Sequence, residues 1–192
     1  APASAMTWRR VGFISGTSQF VSSDRVAHAP DNDRMTRKIH IAPPRDTADF
    51  DAVAGLVREY AGSLDFSLDY QDFEAELGDL RAKYGPPGGA LLLARVDGEP
   101  AGSVALRQLE TGIGEMKRLY VRPGFRSERT EAGNSIGREL ALRIVEAARV
   151  CGHRRLRLDT IGPQMEPAIR LYRTMGFTEI APYYPSPVPG TV

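Results

Sequence analysis

The sequence predicts a mixed α/β fold, and three observations predict it. Four segments, Phe50–Leu64, Phe73–Tyr84, Gly137–Cys151 and Pro167–Met175, carry apolar residues at helical spacing. Short aliphatic runs between them are bounded by Gly, Pro or Asp-Gly, as strands are. Three such runs follow one another directly, whereas later ones alternate with helices. That order calls for an antiparallel meander continued by βαβ and αβ units, hence one mixed sheet with helices packed on it.

Each element has a local reason. Lys38–Ala42 is a short strand stopped by Pro43-Pro44. Asp46 or Thr47 caps a helix whose stripe is Phe50, Val53, Ala54, Val57, Ala61 and Leu64. A second helix starts at Asp69 or Asp72, carries Phe73, Leu77, Leu80 and Tyr84, and ends at Gly85-Pro86-Pro87-Gly88-Gly89. Ala90–Val96 turns at Asp97-Gly98 into Ala101–Gln108, a hairpin signal. Gly112 and Gly114 lead into the strand Glu115–Val121, closed by Arg122-Pro123. A polar loop precedes the helix Gly137–Cys151, which Gly152 terminates. Leu156–Thr160 is a strand, Pro167 opens a helix that Gly176 ends, and Thr178–Ala181 begins a last strand before a proline-rich tail. Residues 1–34 show no sustained periodicity and are read as a disordered extension; residues 35–192 form the domain.

Composition narrows the class. Hydrophobic residues make up 42% and charged residues 26%, an ordinary globular balance. Apolar runs such as Ala90–Ala94 are too short to span a bilayer, so no membrane partner is expected. Cys151 is the only cysteine, so no intramolecular disulfide forms and a cytoplasmic location is expected. Its place on the inward face of a helix marks it as a small core residue. His28, His40 and His153 stand apart from any carboxylate or thiol at ligand spacing, so no metal site is expected.

The net charge is only +1, yet Met116–Arg173 holds 13 Lys+Arg against 6 Asp+Glu. A basic half suits a polyanionic ligand or a solvated arginine-rich face, and charge alone leaves both open. The stretch Glu115–Cys151 is more specific. It runs from strand through a glycine-containing loop into a helix, which places free backbone N–H groups and a positive dipole end at one point. Gly133 and Gly137 allow close backbone approach there, and Arg126, Arg129 and Arg138 add charged donors for a pyrophosphate. No recognition motif or aromatic platform accompanies the arginines, so no nucleic-acid partner is expected.

With MKRLYVRP (Met116–Pro123), the run Ser135-Ile136-Gly137-Arg138, RLRLDT (Arg155–Thr160) and AIRLYRTMGF (Ala168–Phe177) in that order, the chain over roughly residues 38–190 resembles the GCN5-related N-acetyltransferase (GNAT) superfamily. MKRLYVRP (Met116–Pro123) is similar to that family's central strand. Arg126 followed by Ser135-Ile136-Gly137-Arg138 resembles its acetyl-CoA loop, Arg/Gln-x-x-Gly-x-Gly/Ala. RLRLDT (Arg155–Thr160) and AIRLYRTMGF (Ala168–Phe177) resemble the next strand and helix, and YYPSPVPG (Tyr183–Gly190) the tail of one subgroup. One departure stands out. Nine residues, Ser127–Ser135, separate Arg126 from Ile136 where the family has fewer, and Ser135 stands where the first signature glycine would be.

The resemblance implies an acyl-CoA N-acyltransferase fold, a twisted central mixed sheet flanked by helices. It implies acetyl-CoA as co-substrate and a primary amine of a small molecule or peptide as acceptor, attacked directly. No serine or cysteine nucleophile with a histidine partner is evident, which agrees with direct attack. Leu119, Tyr120 and Val121 of the central strand, with Arg126, Arg129, Gly133, Asn134, Ser135, Ile136, Gly137 and Arg138, are the expected cofactor residues. Tyr172 falls at the family's general-acid position, and Glu115 is the candidate base, acting through water. Asp159, Phe66, Tyr70 and Tyr183 are candidate acceptor contacts. The family also admits a homodimer, which the sequence does not derive. The competing reading is a catalytically impaired acyl-CoA-binding or interaction module, motivated by the lengthened pyrophosphate loop.

Overall fold

The computed structural model describes residues 5–10, 37–64, 73–161, 165–181 and 183. It contains strands β1 (Ala5–Arg10), β2 (Ile39–Ala42), β3 (Ala90–Val96), β4 (Glu99–Glu110), β5 (Ile113–Val121), β6 (Arg155–Ile161) and β7 (Phe177–Ile180). Its helices are α1 (Thr47–Gly62), α2 (Phe73–Gly78), α3 (Leu80–Tyr84), α4 (Ile136–Val150) and α5 (Glu166–Thr174).

The strands form one sheet in the order β2-β3-β4-β5-β6-β1-β7. The meander from β2 to β5 is antiparallel, and its β3–β4 turn has positive φ at both Asp97 and Gly98, the geometry of a tight type I′ hairpin. The crossover through α4 then sets β6 parallel to β5. Because helices cover both faces, the central strands are apolar on both sides. On β3, Leu92, Ala94 and Val96 join the core under α4 and α5, while Leu91 and Leu93 join the core under α1 to α3. Leu140, Ile144, Leu156 and Leu158 are essentially inaccessible in the first core, and Val53, Leu56 and Val57 in the second. Each such side chain contributes roughly 1.5–3 kcal/mol by leaving water.

Caps behave as their chemistry requires. Asp46 is the N-cap of α1 and accepts from the Asp49 amide at 2.9 Å. Two expectations are corrected. The expected single helix up to Tyr84 is broken, because Asp79 takes an extended φ and caps a new helix by accepting from the Ala82 amide at 2.8 Å. Its start at Asp69 or Asp72 lies outside the described residues. The expected disordered extension also contributes a strand. Ala5–Arg10 lies antiparallel to both β6 and β7, from Ala5↔Ile161 on one side to Arg10↔Phe177 on the other. Backbone ladders formed with residues so distant in sequence leave no local periodicity to read.

Candidate active site

Two neighbouring strands of the sheet part from one another. β5 and β6 pair at Ile113↔Arg155, Gly114↔Leu156 and Glu115↔Arg157, and no further, although β5 runs on to Val121 and β6 to Ile161. Beyond Glu115 the two strands part, and the β5 edge there offers backbone donors and acceptors to whatever enters. Near the fork, Gly114 is required by close packing, since a Cβ would lie 2.9 Å from His153.

β5 is also irregular on its other side. Ser103 pairs with Tyr120 and Ala105 with Lys117, so Val104 alone faces Arg118 and Leu119. This is a β-bulge, and it places Arg118 at φ 57°, a left-handed conformation costing a non-glycine residue about 1–2 kcal/mol. The extra residue shifts the side-chain phase. Tyr120 falls in the core under α1 to α3, whereas Leu119 and Val121 pack against the core under α4. The three expected cofactor residues of this strand thus line the open stretch from both faces.

Next to it stands the start of α4. Ser135 is its N-cap at φ −63°, and its hydroxyl accepts from the Arg138 amide at 3.3 Å. Serine therefore suits this position, which needs no positive φ. Gly133 takes the left-handed conformation instead, at φ 77°. The lengthened loop folds back on itself through an Arg129↔Ser135 bridge, Thr130 N–H donating to Asn134 C=O at 2.9 Å and Gly133 N–H to Thr130 C=O at 2.7 Å. The Asn134 amide group donates to Glu139 at 2.9 Å and ties the turn to α4. Glu128 pairs with Arg37 at 3.3 Å, and Arg37 with Asp97 at 3.0 Å. These anchors lie before β2 and in the β3–β4 turn, on the side of β5 away from β6.

The helix start is open and positive. The Ile136 and Gly137 amides at its start have no intrahelical acceptor, while the Arg138 amide is capped by the Ser135 hydroxyl. A Cβ on Gly137 would meet only Val121 Cγ2 at 3.6 Å, ordinary contact. Arg126 Nε donates to the Val121 carbonyl at 3.0 Å, Arg129 to the Arg126 and Glu128 carbonyls at 3.1 and 2.9 Å, and Arg138 to the Thr174 hydroxyl at 3.1 Å. Among the described residues none of these three guanidiniums forms an ion pair, in contrast to Arg37, Arg95, Arg107, Arg118 and Arg122. Uncompensated cations beside a helix N-terminus fit a pyrophosphate.

Tyr172 approaches from α5. Its ring packs on Phe177 at 5.8 Å and only 6% of the residue is exposed. Burial pushes its phenol well above the ordinary tyrosine range, with Tyr60 and Asp159 adding to the effect. Asp159 on β6 and Tyr60 on α1 are therefore within electrostatic reach of this hydroxyl. Tyr60 in turn lies 5.8 Å from the Tyr120 ring and donates to Met165 Sδ at 3.8 Å.

Glu115, at the fork, is wholly buried. Arg107 Nε donates to its Oε2 at 2.5 Å and the Tyr183 hydroxyl to its Oε1 at 2.8 Å. Lys117 Nζ sits 3.9 Å from Glu115 Oε1 and 3.7 Å from Asp159 Oδ1, linking the two carboxylates. The structure thus brings Glu115, Asp159 and Tyr183 into one polar cluster. Phe66 and Tyr70 lie outside the described residues. Sequence reasoning passed over Arg107, Lys117, Tyr60 and Arg157, whose guanidinium lies 5.2 Å over the Tyr183 ring. A signal existed for two of them. Lys117 is two residues from Glu115 on the same strand face, and Arg107 stands directly across the hairpin from Glu115.

The remaining conspicuous residues have structural partners. His153 Nε2 donates to the Gly88 carbonyl at 2.8 Å, and Cys151 Sγ to the Gly89 carbonyl at 3.7 Å. Among the described residues no group of three or more His, Cys, Asp or Glu could hold a metal ion.

The family model described as "Acetyltransferase (GNAT) family" matches residues 54–177, which includes the fork, the bulge, the loop, α4 and Tyr172. The chain belongs to the GNAT acetyltransferase family. An uncharacterized N-acetyltransferase of Schizosaccharomyces pombe is 38% identical over 151 residues, covering 78% of this chain and 86% of that relative. An IAA acetyltransferase of Azospirillum brasilense is 36% identical, covering 70% and 82%. Among solved structures, a GNAT acetyltransferase of Staphylococcus aureus superposes with a TM-score of 0.63 at 19% identity, covering 79% of this chain and 94% of that one. An aminoglycoside N-acetyltransferase in complex with CoA gives 0.58 at 17% identity, covering 79% and 96%. As a GNAT protein the chain is an acyltransferase that uses an acyl-CoA co-substrate and an amine acceptor. The parted strands, the open α4 N-terminus and three arginines that form no ion pair among the described residues are a fit for such a group.

Proposed function

We propose that the protein transfers the acetyl group of acetyl-CoA to a primary amine of a small molecule or peptide by direct attack. The observation that carries this reading is the parting of β5 and β6 beside the α4 N-terminus. The Ile136 and Gly137 amides of α4, with the guanidiniums of Arg126, Arg129 and Arg138, hold the pyrophosphate, and the open β5 edge takes the acyl arm. Acetyl-CoA supplies the thioester whose carbonyl carbon is attacked.

The chain's own groups manage the charges. The neutral amine forms the new C–N bond, and the proton it sheds leaves through water toward the Glu115–Lys117–Asp159 cluster. Both Glu115 oxygens are engaged, so this carboxylate acts through water, with Asp159 the more open of the two. A backbone N–H of the Leu119–Val121 stretch faces the carbonyl oxygen as it becomes negative. The C–S bond breaks, and the thiolate takes the phenolic proton of Tyr172, which solvent replaces. Burial keeps that phenol protonated and therefore able to donate.

The acyl-CoA-binding module without catalysis rests on loop length alone. The loop's anchors on Arg37 and Asp97 point away from the opening, which favours the catalytic reading. The test is calorimetric titration with acetyl-CoA, followed by thiol-release assays over a panel of amino acids, polyamines and peptides. Micromolar binding with turnover of at least one amine supports the proposal. Binding without turnover of any amine supports the module, and no binding removes both.

A further inference from the structure

We propose that Arg118 is a positioning residue for the acyl-transfer step: anchored by Glu76 and Tyr84, it holds the β5 bulge whose backbone faces the thioester carbonyl. The inference rests on the acetyltransferase reading. An arginine in the middle of a central strand at φ 57° relaxes to an ordinary strand conformation unless its surroundings prevent it. Here they do. Arg118 Nε and Nη2 donate to the two oxygens of Glu76 at 2.8 and 2.9 Å, a bidentate pair of fixed orientation. The Tyr84 hydroxyl donates to Glu76 Oε1 at 2.6 Å, and Lys83 Nζ lies 3.3 Å from Oε2. Glu76 is 3% exposed and Arg118 7%, so neither reaches solvent to find another partner. The guanidinium also lies 5.5 Å over the Phe73 ring.

The consequence falls on the backbone. The bulge leaves Arg118 and Leu119 opposite a single β4 residue, so one of the two is left without a partner in the ladder on that side. On the other side β6 has already parted. The peptides of this bulge begin the stretch that the acyl arm meets. Their direction is set by the backbone angles at residue 118, and those angles are set by a side chain fastened to α2 and α3. A purely structural ion pair would stabilise the fold without fixing a donor on the reacting carbonyl. The two roles separate experimentally.

The test compares the wild type with Arg118→Gly, which tolerates the same φ without an anchor, with Arg118→Lys and with Glu76→Gln. The readouts are calorimetric acetyl-CoA affinity, the carbon-13 carbonyl resonance of bound carbonyl-labelled acetyl-CoA, and kcat with the best amine from the panel. In the wild type the bound carbonyl is expected downfield of free acetyl-CoA, as a hydrogen-bonded carbonyl is. Arg118→Gly is expected to lose that shift and about 100-fold in kcat, the order of one oxyanion donor, while keeping its acetyl-CoA affinity within a few-fold. Arg118→Lys is expected to fall between. If Arg118→Gly does not fold, Glu76→Gln, which preserves side-chain shape, carries the same expectation. A variant that keeps the wild-type resonance and kcat overturns the proposal, as does a kcat loss matched by lost affinity. Bound acetyl-CoA with an unshifted carbonyl in the wild type overturns it as well, leaving the family reading intact. Wild type that binds no acetyl-CoA overturns both.

Discussion

Tyr172 makes a demand that can be checked at a single atom. Buried beside Phe177 and held protonated by desolvation and by Tyr60 and Asp159, its hydroxyl stays a donor well into alkaline solution. Tyr172→Phe removes only the hydroxyl, so folding and acetyl-CoA affinity should change little. kcat should fall roughly 100-fold, the lower range for a general acid. The pH profile follows from the sign of the shift. Because the folded phenol titrates above its ordinary value, wild-type kcat should show no descending limb from Tyr172 up to pH 10. A limb in the wild type below pH 10 that Tyr172→Phe abolishes would contradict the assignment. The role proposed for this residue comes only from the family resemblance; its helical stripe alone reads as core. Lys117 and Arg107 were legible in principle from strand alternation and hairpin register, but only once the register was known. Arg118 carried no signal at all, since a left-handed arginine follows from contacts with Glu76 that are distant in sequence.

Among the elements, those fixed by short-range chemistry were the ones readable in advance. The Asp97-Gly98 hairpin, the Asp46 cap and the stripe of α4 all emerge where local patterns put them. The break at Asp79 was hidden because its apolar stripe continues through it; only the cap bond to Ala82 shows that the backbone restarts. That break matters for pH stability, since it sets Glu76 on α2 against Tyr84 on α3. Burial raises the Glu76 carboxyl, but the hydrogen bond and charge of Arg118, with Tyr84 and Lys83, outweigh it and lower the value from 4.5 to about 2. A lowered carboxylate stabilises the fold above its unfolded value and loses that contribution as pH falls through its folded one. Wild-type stability should thus drop from pH 4.5 toward about 2. Glu76→Gln, which leaves Arg118 buried without its counter-charge, should be less stable at pH 7 and flatter across that window. Urea midpoints at four pH values test this, and a variant with an unchanged acid slope would refute it. The pyrophosphate loop gives a second element-scale expectation. Its fold is anchored on Arg37 and Asp97, so deleting Glu128–Gly133 removes one arginine and no cradle amide of α4. Acetyl-CoA affinity by calorimetry should then weaken by less than about tenfold, or 1.4 kcal/mol. A tighter-binding deletion would show that the loop obstructs the site.

At the scale of the whole molecule, the least legible feature is also the one that closes the sheet. β1 is the strand between β6 and β7, and β7 is placed in the sheet through its ladder with β1, from Thr7↔Ile180 to Arg10↔Phe177. Without β1, the α5–β7 unit would be held by side-chain packing of Ile169, Tyr172, Met175 and Phe177 on the core, with two strand edges left bare. The two ends of the active site should respond differently to that loss. The proposed pyrophosphate cradle is built on β5 and α4, and the ladders of β5 run to β4 and β6. Tyr172 sits on the unit that β1 secures. Removing residues 1–10 should therefore lower kcat far more than acetyl-CoA affinity, and should lower Tm by on the order of 10 °C if several kcal/mol are lost in a domain of this size. Hydrogen exchange should speed up selectively in β6, α5 and β7, while α4 and β3–β5 stay protected. The bare edges should also promote self-association, visible as a concentration-dependent size. Equal Tm, exchange and kcat in the truncated and intact chains would mean that Ala5–Arg10 contributes nothing to the working sheet, and that residues 35–192 hold α5 and β7 in place by packing alone.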